Sequence, residues 1–263
     1  MARPVIALLT DFGTRDHYAG AMKGVALGIC PDAVLVDITH EIPPHDTLAG
    51  ALELAACYRY FPVGTVFLVV VDPGVGSARR SIAAEAGGHR FVAPDNGVLT
   101  VAFSETPPTR VVELTERRYA RSIVSRTFEG RDLFAPAAAW LANGIDLSEL
   151  GRPAASWHTL DVPAPALADD AIVGEVVRID RFGNLVTNVD RHTFERFADA
   201  RGIRILAGIQ ALDRTVATYA DAEPGAVCAL FGSSDHLEVA VNGGSAANRL
   251  RLTRGARVII ARA

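Results

Sequence analysis

The first half of the chain alternates short apolar runs with segments of helical spacing, whereas beyond residue 170 short apolar runs follow one another with little but turn residues between them. Alternation of the first kind marks a mainly parallel sheet covered by helices. Strands are predicted at Val5–Leu9, Val34–Ile38, Val66–Val71, Ile82–Ala86, Phe91–Ala93 and Arg110–Leu114. Val66–Val71 has no polar position, as expected of a strand buried on both faces. His17–Ile29 reads as a helix stopped by Pro31, whose ring cannot continue it. Asp46 can cap a second helix, with Leu48, Leu52 and Ala55 repeating along its buried face. A third helix runs from Asp132 to Ala142, with Pro136 in its first turn, where a missing N–H matters little.

In the last third, the runs Ile172–Ile179, Leu185–Val189, Ile203–Leu206, Val227–Phe231, Leu237–Val241 and Val258–Ala261 suggest a small β-barrel or sandwich. Residues 161–170, DVPAPALADD, are acidic and proline-rich without periodicity, and read as a linker. The expected fold class is therefore α/β, with a mainly parallel sheet over residues 1–160 and a small β-barrel domain over 171–263.

Composition narrows the partners. With 263 residues, 49% of them hydrophobic, the chain has material for a core without disulfides. Cys30, Cys57 and Cys228 are odd in number and lack CxxC spacing, so they read as reduced thiols, and a cytoplasmic protein is expected. The opening MARPVIALLTDFG meets charge after a few apolar residues, unlike a signal peptide or a membrane span. A net charge of −4 without any basic tract argues against nucleic-acid and anionic-membrane partners and leaves a small molecule.

Polar residues cluster at the predicted strand ends, where open α/β sheets hold their ligands. VVVDPGVGSARR ends a buried strand on Asp72 and brings Arg79 back towards it through Gly74 and Gly76. A carboxylate and a guanidinium then face one pocket, or else form an ordinary surface pair. Asp11 follows the first strand, suited to holding a ribose diol or to capping a turn. Asp95 and Asn96 in APDNGVLT read most simply as a turn. TFEGRD places Phe128, Glu129, Arg131 and Asp132 ahead of a helix that Asp132 can cap. IDRFGNLVTN offers Asp180, Phe182 and Asn184, either as purine-recognising groups or as a hairpin turn. DITHEIPPHD carries Asp37, His40, Glu41, His45 and Asp46, but irregular intervals and two prolines prevent a helical metal-binding face. No metal is expected there, and His45 with Pro44 is expected to pack on a ligand.

Seven segments in order, LLTDFGTRDHYAGAMKGV, VDITHEIPPHD, FPVGTVFLVVVDPGVGSARR, APDNGVLT, TFEGRDLFAPAAA, IDRFGNLVTN and LEVAVNGGSAA, resemble the S-adenosyl-L-methionine (SAM) hydroxide adenosyltransferases. These are SAM hydrolases, relatives of the SAM-dependent fluorinase and chlorinase, and the resemblance spans nearly the whole chain. It implies an N-terminal α/β domain, a C-terminal β-barrel, no cofactor, and a homotrimer binding SAM or adenosine at its subunit interfaces. Asp11 would hold the ribose hydroxyls, Asn184 would lie near adenine and Asp180 near the methionine amino group. Phe182 would face the ligand, and Ser233, Ser234 and the backbone after Val241 would line the remainder, with Phe128 and His45 also on the substrate side. The hydrolytic members are described with an Asp–Arg–His triad, whose first two residues match Asp72 and Arg79. At the third, the family's TFHGRD becomes TFEGRD, with Glu129 in place of histidine. The halogenases have no acid at the position of Asp72, which favours water as nucleophile. Glu129 has three open placements: paired with Arg79, crowding Asp72, or turned to solvent. Pairing has the lowest electrostatic cost, because one guanidinium can bridge two carboxylates.

Overall fold

The computed structural model describes residues 3–198 and 202–262. They group into two compact units, Met1–Asp161 and Val162–Ala263. In the first, strands β1 (Val5–Thr10), β2 (Val34–Thr39), β3 (Val66–Val70), β4 (Ser81–Ala86), β5 (His89–Pro94), β6 (Arg110–Leu114) and β7 (Gly151–Pro153) form one sheet in the order β2-β1-β3-β5-β4-β6-β7. The pairs β2–β1, β1–β3 and β3–β5 are parallel, and β4 lies antiparallel between β5 and β6, so β6 runs with the parallel set. The parallel register places Leu8 beside Leu68 and Leu68 beside Val92.

β3 is central and fully buried, and its alternating side chains feed two separate cores. Val66, Leu68 and Val70 pack with Met22, Phe134 and Leu141 on one face. Phe67, Val69 and the following Val71 pack with Leu54, Val98 and Phe103 on the other. The first face is covered by α1 (Tyr18–Ile29) and α4 (Ala135–Ala142), the second by α2 (Thr47–Cys57) and α3 (Thr100–Glu105). Burial on both sides explains why this strand has no polar position.

Asp46 caps α2 by accepting the Ala49 N–H at 3.0 Å. The buried face of α2 differs from the expected one: Gly50, Ala51, Leu54 and Ala55 are buried, while Leu48 and Leu52 are half-buried. Gly50 is the reason, since a Cβ there would stand 3.0 Å from Val71 Cγ2 and 3.2 Å from Val98 Cγ2. The helix therefore approaches the sheet along its small residues. The third expected helix is also altered, opening with a π-type turn over Gly130–Phe134 before α4 begins. Asp132 is not its cap. That carboxylate is fully buried, takes a two-pronged contact from Arg131 at 2.7 and 2.8 Å, and accepts the Ser125 N–H at 2.9 Å. The Arg131 hydrogen bonds, aided by the Ser125 amide, hold the Asp132 carboxyl below its ordinary pKa against the cost of burial.

The second unit holds β8 (Ala166–Leu167), β9 (Ala171–Ile179), β10 (Leu185–Asp190), β11 (Ile203–Ala207), β12 (Gln210–Leu212), β13 (Val227–Phe231), β14 (His236–Val241) and β15 (Arg257–Arg262). All its pairings are antiparallel, in the order β12-β11-β15-β9-β10-β14-β13, with β8 added to β9 from within the proline-rich stretch. The sheet curls, barrel-like, around a core that includes Ile172, Leu185, Ile205, Leu237, Val239 and Ile260. Two short helices, α5 (Arg191–Phe197) and α6 (Ala246–Leu250), lie outside the sequence expectation.

Candidate active site

In the first unit, the loop after β3 carries Asp72 and returns Arg79 to it. Asn96 fixes the strand end by donating its Nδ2 to the Val71 carbonyl at 2.8 Å. Gly76 makes the return possible with φ +76°, and a Cβ there would stand 2.5 Å from the Arg126 carbonyl oxygen. The loop is thus packed against the segment that leads to Glu129.

Arg79 is the hub. Its Nε donates to Asp72 Oδ1 at 2.8 Å, and its Nη2 bridges Asp72 Oδ2 and Glu129 Oε2. Its Nη1 donates to Ser81 Oγ at 2.8 Å and to the Arg80 carbonyl at 3.2 Å. The guanidinium lies 5.3 Å from the centre of the Phe134 ring. Asp72 is 5% exposed and Glu129 18% at the side chain, so Glu129 is the wetter of the two. Burial alone would lower the Arg79 pKa, but the bonds and charges of Asp72 and Glu129 together hold it above its ordinary value. Such a guanidinium keeps its charge and fixes the Asp72 carboxylate in one plane.

The other candidates of this unit fall into two groups. Asp11 sits at the end of β1, and its Oδ2 accepts the N–H of His45 at 2.8 Å. His45 itself is exposed, on left-handed backbone with φ +67°. Phe128, by contrast, is buried, in edge contact with Phe12 and Tyr18 and beneath the Arg131 guanidinium. Asp95 is a brace, accepting from Arg80 and from the His158 N–H. His40 is buried with Nδ1 on Thr10 Oγ1 at 2.8 Å and Nε2 on Asp37 Oδ1 at 3.0 Å, while Lys23 holds the other Asp37 oxygen. Among the described residues, no group of three or more His, Cys, Asp or Glu is placed to hold a metal ion.

In the second unit, the turn between β9 and β10 is built around Asp180. Its Oδ1 accepts the N–H groups of Phe182 at 2.9 Å and Asn184 at 2.8 Å, and its Oδ2 accepts Asn184 Nδ2 at 2.9 Å. Phe182 stands 77% exposed at the rim of a cavity of about 890 Å³ that Asp180, Asn184, Ser233 and Val241 also line. That volume falls within the range of small-molecule sites. Ser234 is not among the lining residues; its carbonyl meets His236 Nδ1 at 2.8 Å.

Sequence reasoning missed Tyr219 and Glu238, which line the same cavity. Glu238 is 5% exposed and accepts the Tyr219 hydroxyl at 3.0 Å. Burial, opposed by that bond, pushes its carboxyl above the usual range. Desolvation and the neighbouring Glu238 push the Tyr219 hydroxyl up to about 12. The available signal was a lone acid inside the apolar strand LEVAV, preceded by Gly232, where any Cβ would overlap Glu238 Oε1.

Residues 6–151 match the SAM hydroxide adenosyltransferase N-terminal domain, and residues 174–259 match the C-terminal domain of the same family. The chain belongs to the SAM hydroxide adenosyltransferases. A family relative from Salinispora tropica, named (R)-S-adenosyl-L-methionine hydrolase, is 39% identical over 97% of each chain. A fluorinase from Nocardia brasiliensis is 32% identical over 97% of this chain and 96% of its own. The crystal structure of an uncharacterized conserved protein from Thermotoga maritima superposes with a TM-score of 0.92 at 36% identity, covering 98% of this chain and 100% of that one. The chain thus presents a carboxylate–guanidinium–carboxylate cluster on one unit and a cavity of small-molecule size on the other.

Proposed function

We propose that the chain hydrolyses (R)-S-adenosyl-L-methionine to adenosine and L-methionine by in-line attack of water on the ribose C5′. The observation that carries the reading is the buried Asp72 carboxylate, locked by Arg79 at the end of β3. The C5′–O bond forms as the C5′–S bond breaks, its electron pair goes to sulfur, and the attacking water gives up a proton. Positive charge moves from sulfur to the water oxygen, so an acceptor beside that oxygen is favoured most in the transition state. Asp72 is that acceptor. Arg79 positions it and Glu129 steadies Arg79, in the place where the family motif has histidine. Holding the water within about 3–3.5 Å of C5′ supplies much of the remaining rate enhancement.

Asp11 is assigned to the ribose hydroxyls, Asn184 to adenine and Asp180 to the methionine amino group. Phe182, His45, Phe128, Ser233, Ser234 and the backbone near Val241 complete the substrate side. The assembly is a homotrimer with SAM held at subunit interfaces; the exposed Phe182 supports a site that a neighbouring subunit closes. The working compartment is the cytoplasm, a reading supported by three unpaired cysteines.

Product analysis in ¹⁸O-labelled water, with chloride present and no added metal, tests the reaction. Labelled adenosine with methionine is the expected result; intact SAM or a 5′-chloro nucleoside overturns it. Light scattering of the same preparation checks the trimer, which a monomeric mass overturns. Glu129→Gln is expected to lower turnover tenfold or more, on the scale of about 10²–10⁴ for general-base groups. Unchanged kinetics would remove Glu129 from the mechanism.

A further inference from the structure

The amide of Asn184 has only one orientation that its neighbours accept. Asp180 Oδ2 stands 2.9 Å away, and a carboxylate only accepts, so Nδ2 and not Oδ1 faces it. The same nitrogen lies 3.5 Å from the Tyr219 hydroxyl oxygen. That oxygen is free to accept because its own hydrogen goes to Glu238 Oε2 at 3.0 Å. Both amide hydrogens are thereby engaged, and Oδ1 is the atom left for a ligand in the cavity that Asn184 lines.

We propose that Tyr219 and Glu238 are positioning residues that hold the Asn184 amide oxygen towards the ligand, so that the cavity selects a purine with a 6-amino group over one with a 6-keto group. The inference rests on the adenosyl reading given above. A 6-amino group donates to Oδ1, whereas a 6-keto oxygen meets it as a second acceptor. Flipping the amide to suit the keto base would turn Oδ1 against Asp180 Oδ2 and leave the Tyr219 hydroxyl oxygen without a donor. Gly232 makes the arrangement possible, since any side chain there would displace the Glu238 carboxyl.

The test is calorimetric titration of the full-length protein with adenosine and with inosine. The unsubstituted chain is expected to bind inosine about 10²-fold more weakly, as sites built around a substrate's hydrogen-bonding group discriminate strongly. Tyr219→Phe removes one oxygen and is expected to bring the ratio below about tenfold. Glu238→Gln, which can donate to the tyrosine oxygen and turn its hydrogen towards Asn184, is expected to do the same. A packing role alone would weaken both nucleosides together and leave their ratio intact. Tyr219→Phe with the ratio unchanged overturns the proposal while leaving hydrolysis standing, as does equal binding of both nucleosides by the unsubstituted chain. Binding of neither nucleoside, together with no turnover of SAM, overturns the adenosyl reading and this inference with it.

Discussion

Asp72→Asn is expected to lower turnover of SAM by about 10²–10⁴-fold while KM stays within a few-fold of its starting value. Asparagine keeps the volume and one acceptor, but it replaces an oxygen by an NH₂ that points donors at Arg79 or at the attacking water. The lost interaction belongs to the transition state, where the water oxygen gains positive charge, and not to the bound sulfonium, so kcat carries the loss. Rapid-quench single turnovers with saturating SAM separate the chemical step from binding. A variant with normal single-turnover rates would show that Asp72 only shapes the loop.

Arg79→Ala is expected to cost about 3–5 kcal/mol of stability as well as activity, the range for breaking a buried ion pair from one side. Asp72 and Glu129 both lean on this guanidinium, and its removal leaves two acidic side chains facing each other where water is scarce. Urea unfolding of the variant and the unsubstituted chain is the measurement, and a loss below about 1 kcal/mol counts against the account. Adding Glu129→Gln to Arg79→Ala should recover part of the loss, because one of the two opposed acids is gone.

What could be read from residues alone follows how local each feature is. β3 and β6 were legible because a run without polar positions, or one bounded by turn residues, needs nothing beyond its neighbours to define it. The buried face of α2 was displaced because Gly50, which has no hydrophobic signature, sets how closely the helix meets Val71 and Val98. α3, α5 and α6 span two turns or less, too short for a 3.6-residue period to emerge. Asp72 and Arg79 are joined by one loop, so their meeting could be anticipated from turn chemistry. Glu129 approaches from a segment distant in sequence, and its choice among three placements belongs to tertiary packing. Asp132 looked like a helix cap because a cap and a buried arginine-paired acid leave the same mark in sequence. Glu238 escaped notice because one acid in a strand ordinarily faces solvent; its burial depends on Gly232 across the hairpin and on Tyr219 from another segment.

Asp72, Arg79 and Glu129 hang from two loops of the first unit, while Asp180, Asn184, Tyr219 and Glu238 belong to the second. Under the proposed mechanism, the residues assigned to the attacking water and those assigned to the adenosyl and methionine groups are thus under separate mutational control. On that assignment, editing a loop changes what attacks the substrate while leaving the substrate-holding residues and both sheets as they are.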